Sequence, residues 1–310
     1  MKNFFIPVFF VLLSPGSQAQ TDTAFSGKKI ITLSDVVIDK NLNVPGFIDK
    51  IKNDTSYYKA FRNLRIIGYS AINDIRMLDK NGGLKASLFS KTKQVRDSNC
   101  RRMEILQEDI TGDFYTKDRQ YNYYTAQMYA SLFFTSGLVC NEDNIVAGRE
   151  FSTAGKSGIE KHKEQLRMLF FNPGKKINGL PLISNKTAIY DDDLADRYDM
   201  SIDMDTYKGV LCYIFRQKVK PGKEDGVIVD EMVTWFDDKN FDVVARNYSL
   251  SYDAGIYDFK VQMEVQMTQV GSLTVPALIR YNGNWNVFTK GRERGVFTAT
   301  LSDFVLSQNP

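Results

Sequence analysis

Residues 152–157 read Ser-Thr-Ala-Gly-Lys-Ser and end the way a phosphate-binding loop ends. That loop needs G-x-x-x-x-G-K-[ST], so that successive backbone N–H groups cradle a phosphate. Here the first glycine position holds Glu150 and no clear strand precedes it. The segment therefore reads as a flexible connection running into a helix. His162 is the single histidine, and so the single base a nucleophilic triad would have. It sits between Lys161 and Lys163 on a helical pattern, with no G-x-S-x-G elbow anywhere in the chain. It reads as a packed or rim histidine. One His and three scattered Cys do not make either usual kind of zinc site.

The stretch DDDLADRYDMSIDMD (191–205) holds seven Asp, the oxygen ligands that calcium prefers. The EF-hand pattern fails there. Starting at Asp191, Asp192 or Asp193, the sixth residue is never Gly and the twelfth never Glu. Asp199, Asp203 and Asp205 alternate with apolar residues, as on the wet face of a strand. Paired carboxylates for glycoside hydrolysis meet only in space, and the sequence nominates no pair. The basic run KGRER (290–294) has little aromatic interleaving and reads as a turn, so nucleic acid is not an expected partner. No enzyme activity, metal or cofactor is expected.

Two groups of sulfur residues carry more information. Cys100 and Cys140 lie in polar contexts, whereas Cys212 lies inside the apolar GVLCYIF. The expectation is a Cys100–Cys140 disulfide and a buried Cys212 thiol, with three free thiols as the open alternative. Closing that loop contributes on the order of 4 kcal/mol in the chain-entropy account. Met200, Met204, Met263 and Met267 fall on the apolar side of two alternating segments. Methionine is flexible and polarizable and suits surfaces that accept varied apolar ligands, although it also fills ordinary cores.

These residues need elements to hold them. The chain has 310 residues, 43% hydrophobic, with a formal charge of +3. Lys2, the apolar run Phe4–Leu13, the Pro15-Gly16 break and Ser17-Gln18-Ala19 read as an export signal cleaved near Ala19. No later run reaches the roughly 18 apolar residues of a membrane helix. Removing Lys2 leaves +2, close to balance, so charge alone implies neither a polyanionic partner nor an anionic membrane. Helical spacing is expected over 45–61 (Phe47, Ile48, Ile51, Tyr58, Phe61) and over 159–171, and more weakly over 121–134. Residues 64–79 and 84–96 flank Asn81-Gly82-Gly83 as a hairpin, and 103–118 read as a further strand and turn. From residue 199 onward the period becomes two and stays there. Roughly eight strands follow, with Asn282-Gly283-Asn284 and Gly291 to Gly295 among the separators. Short connections demand an antiparallel meander, because parallel strands need long crossovers. One domain is expected over 24–310, with the polar 141–158 connection as a candidate sub-boundary.

At this point residues 200–305 resemble the Lol-type periplasmic lipoprotein carriers and outer-membrane lipoprotein receptors. The resemblance rests on Cys212-Tyr213 in a strand, Pro221 after it, Trp235-Phe236-Asp237 with Phe241, and Arg246 in the next strand. Element order fits too. The first half departs from that pattern in its length, its two Cys and its YNYY segment (121–124). The resemblance implies an α+β fold: a strongly curved, unclosed, antiparallel barrel-like sheet covered by helices. It also implies acyl chains held between sheet and helices. The expected lining is Met200, Ile202, Met204, Trp235, Phe259, Val261, Met263, Val265 and Met267. The implied protein is a periplasmic, non-enzymatic binder of lipid or acylated protein. The competing expectation is a cell-envelope structural or interaction protein with a filled core. The rim arginine of those carriers has Arg65 and Arg246 as candidate counterparts, each also readable as a surface or strand-end residue.

Overall fold

The structure is a computed structural model that describes residues 23–26, 29–32, 44–146, 169–176, 186–253, 258–287 and 291–306. The export signal, the 152–157 segment and His162 lie outside the described residues. A small sheet pairs β1 (Thr23–Ser26) with β2 (Lys29–Thr32). Helices α1 (Val44–Asn53) and α2 (Ser56–Asn63) follow, where one helical stretch was expected over 45–61. Then come β3 (Ile67–Leu78), β4 (Leu84–Asp97), β5 (Cys100–Thr111), α3 (Tyr124–Phe133) and β6 (Val139–Cys140). Of the helix expected over 159–171, residues 169–171 are described, and they are helical. After the short α4 (Asp192–Ala195) the rest is strand: β7 (Tyr198–Tyr207), β8 (Val210–Val219), β9 (Val229–Asp237), β10 (Val243–Asp253), β11 (Asp258–Val270), β12 (Leu273–Val287) and β13 (Gly291–Leu306).

Eleven strands make one unclosed antiparallel sheet in the order β6-β5-β4-β3-β13-β12-β11-β10-β9-β8-β7. Neighbours in sequence are neighbours in space except at one seam. There β13 pairs with β3, from Arg294 opposite Leu78 to Leu306 opposite Ile67. One sheet therefore takes strands from both sides of the 141–158 connection. Alternation puts one face of each long strand except β5 into a single apolar cluster. Phe47 of α1 meets Tyr213, Phe215 and Phe236 of that face at ring distances of 5.7–5.9 Å. Tyr129 of α3 meets Tyr281 and Phe297 at 4.5 and 5.8 Å.

The hairpin turn at 79–83 forms as expected. Asp79 Oδ1 accepts the N–H groups of Asn81 and Gly83, and Gly82 takes φ +86°. The expected breaks at 282–284 and at 291–295 do not form, and seven strands fill 198–306 instead of eight. Gly283 and Gly295 face each other inside the β12–β13 ladder. The Tyr281 ring folds across Gly283, where its hydroxyl accepts the Trp285 indole N–H. A Cβ at Gly283 would lie 1.9 Å from that hydroxyl oxygen. This glycine makes room for an aromatic ring; it does not turn the chain.

Helix α3 was ambiguous in sequence because Tyr, Thr and Phe favour strand. Its cap residue, Tyr123, makes no side-chain cap bond. The Glu293 carboxylate of β13 supplies the cap, accepting the N–H groups of Tyr124 and Thr125 at 3.0 and 2.8 Å and the Thr125 hydroxyl at 2.7 Å. Negative charge at a helix N-terminus is favourable on its own account. We expect Gly283→Ala to displace the Tyr281 ring and cost about 1–3 kcal/mol by overpacking, read as a lower urea midpoint. An unchanged midpoint would mean the ring does not need that space.

Candidate functional site

Six of the nine expected lining residues are buried in the core. Met200 and Ile202 lie on β7, and Phe259, Val261, Met263 and Val265 lie on β11. Met204 and Met267 are partly buried and pack against the same cluster. The space these side chains face is largely occupied. Trp285 stacks on Phe259 at 4.7 Å, and Phe170 meets both Trp285 and Tyr281 at 6.4 and 5.7 Å. Met263 and Met267 also border open grooves of about 530 and 660 Å³.

Trp235 does not join this group. Its register partners are Ala245 and Ile214, one position out of phase with Thr234 and Phe236. It therefore lies on the opposite face, half-buried against Tyr207 at 5.0 Å. Both tryptophan and phenylalanine suit a core, so the pair Trp235-Phe236 hides the phase of β9, which the register fixes.

Arg246 is neither a surface nor a strand-end residue. It is buried in the middle of β10, its Nε donates to Thr234 Oγ1 at 2.9 Å, and its guanidinium lies 4.3 Å from the Tyr57 ring centre. A ring face and a hydroxyl offset part of the cost of burying that charge. Lys175 lies nearby and donates to the Ile51 carbonyl at 3.2 Å. Burial lowers its pKa to about 8; Asp54 opposes this, and Arg246 and Lys52 add to it. Cys100 and Cys140 are register partners across β5–β6 and form a disulfide. Cys212 is a buried free thiol whose pKa burial pushes up to about 11. Asp199 and Asp203 lie within 3.9 and 3.7 Å of Lys220 and Arg216, as charges on a wet strand face do.

A partly open space of about 150 Å³ lies elsewhere, between the sheet at the β3–β13 seam and the helices α2 and α3. Its apolar wall includes Phe61, Tyr69, Ala71, Phe133, Phe171, Ile279, Ala299 and Leu301. None of the nine expected residues lines it. Its other wall is charged, with Arg62, Arg65, Arg101 and Glu142. Arg65 Nη1 donates to Glu142 Oε1 at 3.0 Å, and Arg101 Nε donates to Oε2 at 2.6 Å. Arg62 Nη2 donates to the Asp143 carbonyl at 2.8 Å and to its Oδ1 at 3.1 Å. Arg96 Nη1 donates to the Arg65 carbonyl at 2.8 Å. Behind them Gln94 accepts from Arg101 at 2.9 Å and donates to the Leu64 and Ile67 carbonyls at 2.6 and 2.8 Å.

Burial opposes ionisation of Glu142, but the Arg101 hydrogen bond and the charges of Arg101, Arg65 and Arg62 outweigh it. Its pKa is held below the usual carboxylate value. A space with one apolar wall facing a cation-rich one can take an amphiphile, with hydrocarbon against the first and an anion at the arginines. Of this site, sequence reasoning named only Arg65, as a candidate rim arginine, because residues 62, 65, 96, 101 and 142–143 share no local spacing. Arg65 lies in the turn after α2, three residues after Arg62.

No protein-family description and no curated protein matches this sequence. Among solved structures, the chain is similar to an outer membrane lipoprotein-sorting protein domain from Vibrio parahaemolyticus. That match has 8% identity and a TM-score of 0.27, covering 82% of this chain and 93% of that one. It is also similar to a DUF1329 family protein from Desulfovibrio piger, at 12% identity and a TM-score of 0.23, covering 83% and 95%. Similarity this low leaves the ligand to the chain's own geometry.

Removing the Glu142 charge should leave two arginines without their shared partner. We expect Glu142→Gln to cost roughly 1–3 kcal/mol at neutral pH. Because its folded pKa is depressed, that stabilisation is present above the ordinary value of about 4.3. It is lost as pH falls below it. Urea melts at pH 7 and at pH 3 should show the gap between variant and parent close in acid. A gap that persists at pH 3 would mean the charge is not its source.

Proposed function

We propose that the chain is an exported, single-domain, non-enzymatic binder of lipid or lipidated cargo in the cell envelope. The apolar face of the unclosed sheet serves as the floor of its site and α1–α3 as the cover. One observation carries this reading: a partly open space under α2 and α3 has aromatic and aliphatic side chains on one wall and arginines on the other. Burial of hydrocarbon drives such binding, at about 0.8 kcal/mol for each methylene. Around 150 Å³ holds only a short hydrocarbon segment, so a full acyl chain requires α2 or α3 to lift from the seam. The apolar run at 4–13 and the disulfide support export, because disulfides persist in oxidising compartments. Among the described residues no helix is long and apolar enough to cross a membrane.

A second reading has its own observation. Six of the nine expected lining residues are core, and the space at the seam is below the roughly 300 Å³ of an ordinary ligand pocket. A filled envelope interaction protein would look the same in both respects.

Mass spectrometry of the mature protein from its own envelope, native and then denaturing, separates the two. The binder should release a species with the mass of a phospholipid or acylated peptide, and a bare protein mass under both conditions favours the filled core. Ala71→Leu, which narrows the space, should retain less than about a tenth of that species while the fold remains. Full retention would put the ligand elsewhere.

A further inference from the structure

The Glu142 carboxylate lies in the arginine wall of the space at the seam and the Asp143 side chain pairs with Arg62 beside it, and both come from a strap, residues 141–146. One end of the strap is fixed by the Cys100–Cys140 disulfide. The Asn141 N–H donates to the Asn99 carbonyl at 3.0 Å, and Asn99 Nδ2 donates to Asn141 Oδ1 at 2.5 Å. Further along, Asn144 Nδ2 donates to Asn63 Oδ1 at 2.7 Å, and Val146 packs against the core. The strap thus lies across the ends of α2 and β5, and its two acids are held by Arg62, Arg65 and Arg101.

Among the described residues, and counting Arg96, four guanidinium groups stand there beside two carboxylates. The Arg62 side chain is only 9% exposed, and its Nε has no hydrogen-bond partner. Nor does Nε of Arg96. Guanidinium forks match carboxylate and phosphate oxygens, and buried donors favour a second acceptor. The strap's own contacts are of that kind: Glu142 takes an Arg on each oxygen, as a ligand's anion would.

We infer that strap 141–146 is an internal stand-in for the anionic head of the ligand. The site selects amphiphiles with a net negative head, which displace Glu142 and Asp143 from Arg62, Arg65 and Arg101. This rests on the binder reading above and adds the head class and the competitor to it. The strap and the head contend for the same donors, so anything that frees the strap raises affinity for anionic lipid and leaves neutral lipid alone. A ligand shifts such an equilibrium only by what it binds differently in the two states.

The test is lipid pick-up by the mature protein from vesicles of phosphatidylglycerol or of phosphatidylcholine with the same acyl chains. Parent, Glu142→Gln/Asp143→Asn, and Cys100→Ser/Cys140→Ser are compared. The last variant frees one end of the strap without changing any charge, so it guards against loss of fold in the first. Both variants should take up phosphatidylglycerol at least tenfold more tightly than the parent, with phosphatidylcholine unchanged. Equal change for both lipids overturns the inference and leaves the binder reading standing. No lipid retained by any of the three proteins overturns both. Inorganic phosphate separates the sources. If it raises the melting temperature of the charge variant while no lipid is taken up, the arginines serve a free anion and the lipid form of the inference falls.

Discussion

The pairing of β13 with β3 is the constraint on which the rest depends. It joins strands more than two hundred residues apart in the chain into one ladder, so that the N-terminal hairpins extend the C-terminal meander. Without it the chain would hold a four-stranded ribbon and a seven-stranded sheet, each with an unpaired edge. With it the free edges move out to β6, two residues long, and to β7, whose wet face carries aspartates. The space beside the arginines sits astride this seam. Tyr69 and Ala71 come from β3, Ala299 and Leu301 from β13, and Ile279 from β12. Helix α3 is fixed there as well, because the carboxylate that caps it, Glu293, is on β13. Such a non-local ladder makes no contact until most of the chain is ordered, and so its loop-closure cost falls early and its reward late.

Local chemistry wrote the rest of the fold plainly into the sequence. The period-two runs of β7, β8, β10 and β11 were legible because each buries one face and wets the other. The β3–β4 hairpin was legible because Asn81-Gly82-Gly83 supplies what the turn needs. What failed to show has a shared physical cause: the deciding partner is distant. Gly283 reads as a break until the Tyr281 ring that uses its missing side chain is seen. Helix α3 reads either way until Glu293 reaches its first turn. Trp235 and Phe236 look alike as core residues until the register with Ala245 and Val243 separates their faces.

The same holds for the candidate site. The methionine stripe was visible, and it marks the apolar face correctly, yet that part of the face is filled by Phe47, Phe170 and Trp285 from elsewhere in the chain. Space is left where small residues lie on neighbouring strands, Ala71 of β3 opposite Leu301 and Ala299 of β13 opposite Asn73. Small residues draw no attention in a sequence, although two alanines among aromatics on facing strands are what leave room in a packed interior.

Burial of charge finishes the argument. The inner face grades from apolar at β11 to polar at β4, where Asn73 donates to Ser90 and Thr92 at 3.3 and 3.2 Å and Gln94 bridges to the chain entering β3. Arginines at the end of that gradient are tolerable only while anions face them, since an uncompensated buried charge costs several kcal/mol. In the closed arrangement Glu142 and Asp143 do this. If the strap leaves, water or another anion has to take their place, and an anion carried on a hydrocarbon chain satisfies the arginines and the apolar wall together. The disulfide keeps the strap's acids at high local concentration, so that exchange favours a ligand that offers both parts.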